Sequence, residues 1–187
     1  MTRPIAASGP DPWRVPVIVA QVPDTGLHRK LEASAAERQA MAEMAGLREV
    51  VSVQADFDVV PKSGNRIQVT GHVRARIGQT CVVTLDPMES DIDEEVDLIF
   101  APEAEVRRLA ELMEEGHDDQ EQVADPPEAI VNGIIDLGRL ATDALFLAVD
   151  PYPRKPGVVF EPEVTAPDPE DHPFAVLKAL QDKKKDQ

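Results

Sequence analysis

Apolar and polar residues alternate at period two through two stretches in the middle of the chain, and that alternation predicts long paired strands. Ile67, Val69, Gly71, Val73, Ala75 and Ile77 fall on one face, with Arg66, Gln68, Thr70, His72, Arg74 and Arg76 on the other. Further on, Met88, Ser90, Ile92, Val96, Leu98 and Phe100 share a face that Glu94 interrupts, and Glu89, Asp91, Asp93, Glu95 and Asp97 share the opposite one. One strand is basic outside and the next acidic. Antiparallel pairing sets unlike charges opposite one another, each pair contributing about 0.2 to 1 kcal/mol, while apolar burial supplies most of the stability.

The same patterns extend the fold in both directions. Val15 to Val22 reads as a first strand, with Pro16 confining it to an edge or a strand start. Between Leu27 and Gly46, Leu31, Ala35, Arg38, Ala42 and Ala45 lie near one helical face; the helix is placed from about Ser34, or slightly earlier, to Ala45. Ser34 and Glu37 fit a capping box and Gly46 fits a stop. From Leu47 to Val59, Leu47, Val51, Val53, Ala55, Phe57 and Val59 point one way, Glu49 being the exception, and PKSGN turns this strand into the next as a hairpin. QTCVVTLDP continues the strand or bends it, with Gly78 as a site for a bulge. APEAEVRRLAELMEEG is an amphipathic helix with Val106, Leu109, Ala110 and Met113 at helical spacing, followed by an acidic loop, HDDQEQVADPPEA. Ala129 to Ile135 forms a further strand, and Asp136 caps a helix whose stripe is Leu137, Leu140, Ala141, Ala144, Leu145 and Ala148. Pro151 and Pro153 end that helix by Asp150. In the proline-rich tail, Phe174, Leu177 and Leu180 can form one or two docking helical turns.

The expected architecture is therefore α+β: an antiparallel β-meander of five or six strands, open or curled toward a barrel, with two or three packing helices. The organisation is a flexible lead (1–14), one domain (15–150) and a Pro-rich tail with a short terminal helix (151–187). At 187 residues the chain suits one domain with tails. Aromatics make up only 4%, so the core is aliphatic, and seventeen prolines mark loops and extended ends.

Charge changes the picture more than composition does. The net charge is −16, yet residues 1–87 sum to +1, residues 88–128 to −14 and residues 129–187 to −3. A block of that sign repels phosphate and attracts basic protein surfaces, which argues against a generic nucleic-acid binder. Cys81 is the only cysteine, so no disulfide framework or Cys-rich zinc site is built within the chain. The start MTRPIAASGPDPW lacks an apolar leader core and no run reaches membrane-span length, so the expected location is cytoplasmic.

Three stretches carry a family resemblance: VTGHVRARIGQTCVVTLDPMESDIDEEVDLIF, IIDLGRLATDALFLAVDPYPRKPG and HPFAVLKAL. Together they cover most of residues 66 to 180, and the aspartate-started helix with its PYPRKPG exit is the most specific of them. The chain resembles the YceD family, the large ribosomal RNA subunit accumulation proteins. The resemblance implies a bacterial or organellar cytosolic protein that supports accumulation of large-subunit (23S) ribosomal RNA, hence ribosome biogenesis, and it brings no catalytic residues. Many members resembling this chain carry a second cysteine three positions after the first; here that position is Thr84, so no paired-thiol site forms within one chain.

No enzymatic constellation stands out. Cys81 with His72 is outweighed by a buried structural cysteine. His28, His72, His117 and His172 lack ligand spacing. The alternating Asp91, Asp93, Glu95 and Asp97, with Glu94, read as a solvated or ion-paired face, not a carboxylate pair. The expectation is a protein that is not an enzyme and uses no cofactor, metal, small-molecule substrate or membrane. Two functional readings remain. In one, Arg66, His72, Arg74 and Arg76, with Arg154 and Lys155, contact ribosomal RNA phosphates; internal neutralisation by the acidic strand competes with it and is favoured, because the charge patterns match and stacking aromatics are scarce. In the other, the acidic block, with Glu89, Asp91, Asp93, Glu95 and Asp97 at its front, docks a basic partner such as a ribosomal protein or pre-ribosomal particle. A structural adaptor unrelated to ribosomes is the third alternative.

Overall fold

The computed structural model describes residues 11–114 and 126–160. In chain order it contains β1 (Pro16–Ile18), a 3-10 turn (Val19–Gln21), β2 (Leu27–Glu32), α1 (Ala35–Ala45), β3 (Glu49–Lys62), β4 (Arg66–Thr80) and β5 (Pro87–Pro102). Then follow α2 (Glu103–Glu114), β6 (Glu128–Ile130), β7 (Ile134–Asp136) and α3 (Leu137–Ala148). By contact the chain divides into two units, Met1–Lys155 and Pro156–Gln187. All of these elements belong to the first; the described residues of the second, 156–160, contain no helix or strand.

The fold is α+β. Strands β2-β3-β4-β5-β6 lie side by side in one sheet, and β1 pairs with β7 separately. From β2 to β5 each strand is antiparallel to the last, the meander that alternation and short turns predict. At Ser63–Asn65 the chain reverses through Gly64 (φ 77°) and Asn65 (φ 58°), residues that accept positive φ cheaply. One face of the sheet holds Val53, Phe57, Val59, Val69, Val73 and Ile77, all at most 1% exposed. Two helices cover this face: α1 packs on β3, and α3 packs on β4 and β5. The α3 stripe buries Leu137, Ala141 and Leu145 completely, with the single tryptophan, Trp13, in the same core.

Several expectations are corrected. The sheet is open, not barrel-like: β6 has only three residues, and β1, a potential closing strand, is held by β7 through Pro16↔Asp136, Val17↔Ile135 and Ile18↔Ile134. A pure meander also fails at the end, where α2 carries the chain across and β6 joins β5 in parallel. Leu27–Glu32, expected to lead into the helix, is instead an edge strand on β3. Val15–Val22 keeps only three strand residues before its 3-10 turn. On α1 the buried residues are Met41 and Ala42, whereas Ala35 and Ala45 are exposed. The bulge lies in β3 between Val50 and Ser52, not at Gly78, so Val50 is buried and Val51 faces solvent. QTCVVTLDP leaves β4 at Thr80 and becomes a tight turn over Cys81–Asp86, closed by Cys81 N–H donating to the Asp86 carbonyl at 2.9 Å. Ala129–Ile135 is two short strands split by a turn at Asn132 (φ 52°) and Gly133 (φ 72°). The acidic loop (117–129) lies largely, and the terminal docking segment (173–187) entirely, outside the described residues.

Candidate functional site

Register decides what the outer face of the sheet displays. The β4–β5 ladder sets Arg76 opposite Asp91, Arg74 opposite Asp93, His72 opposite Glu95 and Thr70 opposite Asp97. Across the other edge of β4, Asp56 faces His72 and Asp58 faces Thr70, and beyond them Lys30 faces Asp56 and His28 faces Asp58. Side-chain parity places all of these on the solvent side. The face is thus striped by strand: basic on β2 (His28, Lys30), acidic on β3, basic on β4, acidic on β5.

The stripes pair laterally. Arg76 Nε donates to Asp91 Oδ1 at 2.8 Å and lies 3.9 Å from Glu89; Arg74 Nε donates to Asp93 Oδ2 at 3.0 Å, and His72 Nδ1 lies 3.1 Å from the other oxygen of Asp93. His28 bridges Asp56 and Asp58 at 3.2 and 2.9 Å. The hydrogen bond from the Arg76 guanidinium, with its charge, holds the Asp91 carboxyl below the ordinary carboxylate range, and Asp91 in turn raises Arg76. Asp93 is lowered likewise, chiefly by the Arg74 hydrogen bond; burial opposes the shift, and His72 adds a lesser lowering. All these groups are at least two-fifths exposed, so each pair contributes little to stability.

The six candidate RNA contacts do not converge. Arg66 stands at the start of β4 and pairs with Glu105 on α2, ten residues from Arg76 and, at about 3.3 Å per residue, roughly 33 Å away. Arg154 and Lys155 follow α3, where Lys155 Nζ pairs with Asp86 at 3.1 Å. The candidate acidic contacts, by contrast, run continuously along β5. Of these, Glu89, Asp91 and Asp93 meet arginines of β4, Asp97 accepts from the Gln68 amide at 2.7 Å, and Glu95 has no ion pair among the described residues.

Sequence reasoning passed over how the PYPRKPG exit is anchored. Val82 N–H donates to the Pro153 carbonyl at 2.9 Å, and the backbone N–H of Lys155 donates to the Cys81 sulfur at 3.5 Å. Hydrogen bonds, above all from the Thr84 side chain and then from the backbone of Thr84 and Lys155, lower the fully buried Cys81 thiol to about 6 against the cost of burial. Thr84 thus meets Cys81 across the turn. Gln79, buried in β4, donates to the Asp150 carbonyl and accepts from Ser90, each at 2.8 Å. The signal for this junction was a polar residue on a strand that otherwise reads as core. Among the described residues no three His, Cys, Asp or Glu side chains group to hold a metal ion, and no helix is long and apolar enough to cross a membrane.

A family model described as "Large ribosomal RNA subunit accumulation protein YceD" matches residues 69–181, well over half of the chain. The matched span takes in β4 from Val69 onward, β5, α3 and the proline-rich exit, that is, the β4–β5 half of the charged face and its anchor, with β2 and β3 lying before it. No curated protein and no solved structure matches.

Proposed function

The chain belongs to the YceD family, and from that premise we propose that it is a non-enzymatic, cytoplasmic ribosome-biogenesis factor. It supports accumulation of large-subunit ribosomal RNA by docking a basic ribosomal protein or assembly partner on its acidic surface. The family's name gives the process; the chemistry of the face supplies the mode. One observation carries the reading: Arg74 and Arg76 of β4 are already engaged by carboxylates of β5, so the charge left over on this side of the molecule is negative. A negative surplus draws basic polypeptide and repels phosphate.

In a strain depleted of the protein, the ratio of mature large-subunit to small-subunit ribosomal RNA falls; an unchanged ratio overturns the biogenesis reading. The intact chain co-purifies with a basic protein or pre-ribosomal particle, and converting Glu89, Asp91, Asp93, Glu95 and Asp97 to Asn and Gln releases it. Retention of the partner after that change removes the acidic surface from the mechanism.

Direct RNA contact is the second reading, favoured by the exposure that Arg74 and Arg76 keep, 58% and 51%, despite their pairing. It requires RNA binding at low salt that weakens steeply as salt rises and is lost in Arg74→Glu.

A further inference from the structure

The two edges of β5 are treated differently. Toward β4 it is paired throughout, from Pro87↔Thr80 to Phe100↔Ile67. Toward the other side, β6 pairs only with Phe100–Pro102, and among the described residues no strand pairs with that edge from Pro87 to Ile99. A long bare edge offers a row of backbone donors and acceptors to any strand that fits it.

Beside this edge lies a groove of about 780 Å3 between β5, the β6–β7 turn and α3, within the range of sites that take a ligand or a short peptide. Apolar side chains in its walls are Val96, Leu98 and Phe100 from the core side of β5, Leu140 and Ala144 from α3, and Ile134. Leu147 of α3, at the rim, is 88% exposed. Glu94 also lines it, sitting at a core-facing position yet exposed. Glu94 breaks the apolar pattern of β5 and brings a carboxylate to the groove.

Charge selects the occupant. Seven acidic and two basic side chains line the groove, and both basic ones are engaged: Arg139 with Asp143 at 3.5 Å and Arg14 with Asp136 at 3.2 Å. Glu94, Glu95 and Glu128 have no ion pair among the described residues. Two β5 edges brought together would oppose acid to acid, so a second copy is disfavoured while a basic strand is welcomed.

We propose that the free edge of β5 from Glu94 to Ile99 binds an extended basic segment of a partner protein as an added strand, in line with β6. Its alternate apolar side chains enter the groove against α3, and its Lys or Arg side chains, on the outer face, reach Glu95 and Asp97. This inference rests on the reading of the chain as a docking protein for a basic partner, and it names where and in what conformation that partner is held.

The test uses the purified full chain and a synthetic ten-residue peptide of alternating Lys and Val. Three comparison peptides accompany it: alternating Glu and Val, oligolysine, and the Lys–Val peptide with alternate backbone amides N-methylated. Fluorescence anisotropy shows the Lys–Val peptide binding at least tenfold tighter than all three, and hydrogen exchange slows at the amides of Glu94–Ile99 when it binds. Glu95→Lys and Leu147→Lys, both changes to exposed side chains, each weaken binding at least tenfold with the thermal midpoint unchanged. Absence of binding overturns the proposal. So does equal binding of the N-methylated or oligolysine peptide, equal binding by Glu95→Lys, slow exchange of this edge already without peptide, or self-association through it. The rRNA ratio in the depleted strain is read independently: loss of peptide binding with a lowered ratio removes this inference alone, whereas peptide binding with an unchanged ratio removes the biogenesis reading alone.

Discussion

Gly71 sits in the middle of β4 opposite Phe57 and Val96, with φ 155°. A Cβ there would lie 1.9 Å from the Asp56 carbonyl oxygen, so β3 approaches too closely for any side chain. Gly71→Ala should lower unfolding free energy by about 3 kcal/mol, measured from urea midpoints; a loss below about 1 kcal/mol would mean that β3 and β4 separate cheaply. The charged neighbours behave differently, since they gain definition more than stability. In Arg76→Gln the Asp91 carboxyl should titrate higher, back toward its ordinary range, while Asp93, held by Arg74 and His72, keeps its depressed value. Carbon-detected NMR titration of the two aspartates distinguishes this from a shared field, which would move both together. These pairs were legible in the sequence because parity persists along two uninterrupted strands. Parity failed at Val51, where one extra residue at a bulge turns the preceding side chains over, and nothing in the local composition marks that insertion.

At the scale of elements, capping was legible and short strands were not. Ser34 accepts from Glu37 N–H at 3.4 Å while its own N–H donates to the Glu37 carboxylate at 2.7 Å, the reciprocal arrangement that the Ser-x-x-Glu spacing predicts. Asp136 does more than cap α3. Its Oδ1 accepts from Gly138 and Arg139 N–H at 3.2 Å each and from Val15 N–H at 2.8 Å, while Leu137 N–H donates to the Val15 carbonyl at 3.0 Å. One carboxylate therefore joins the helix start to the N-terminal segment that supplies Trp13. Asp136→Ala should cost about 2 kcal/mol, the upper end for a cap, against about 1 kcal/mol for Ser34→Ala; equal losses in chemical denaturation would show that the Val15 bond adds nothing. The missed strand β2 has a plain cause: Leu27 and Leu31 are four apart, a spacing shared by one helix face and one strand face, and the residues between them are polar. Its strand character comes from pairing with β3, which is a tertiary fact. At Asn132–Gly133, by contrast, a recognised turn dipeptide stood inside the segment read as one strand, and its positive φ values divide β6 from β7.

Across the whole molecule, the acidic excess is arranged and not merely present. Carboxylates of β5 face arginines of β4 on one side, while Glu94, Glu95 and Asp97 line the groove on the other, so part of the negative charge stabilises the sheet and the rest, as proposed, meets a partner. The sequence made the first half readable, through matched alternation, but not the second: a groove depends on where α3 lands and on how short β6 is, neither of which is encoded in local pattern. The stabilising half carries a definite pH dependence. Asp91 and Asp93 on the sheet, with Asp86 beneath the Lys155 ammonium, have folded-state values below their ordinary value of 3.8. The unfolded chain therefore takes up protons first as the solution is acidified, and stability rises with pH wherever that difference operates. Their contribution is complete above the ordinary aspartate range and is lost as pH falls below about 4 toward the depressed values. Urea midpoints at pH 7 and pH 3 should accordingly drop more for the natural chain than for an Arg74→Gln, Arg76→Gln double variant, in which two of the three aspartates have lost their guanidinium partners. An equally steep fall in both proteins would place the acid sensitivity outside the β4–β5 ladder.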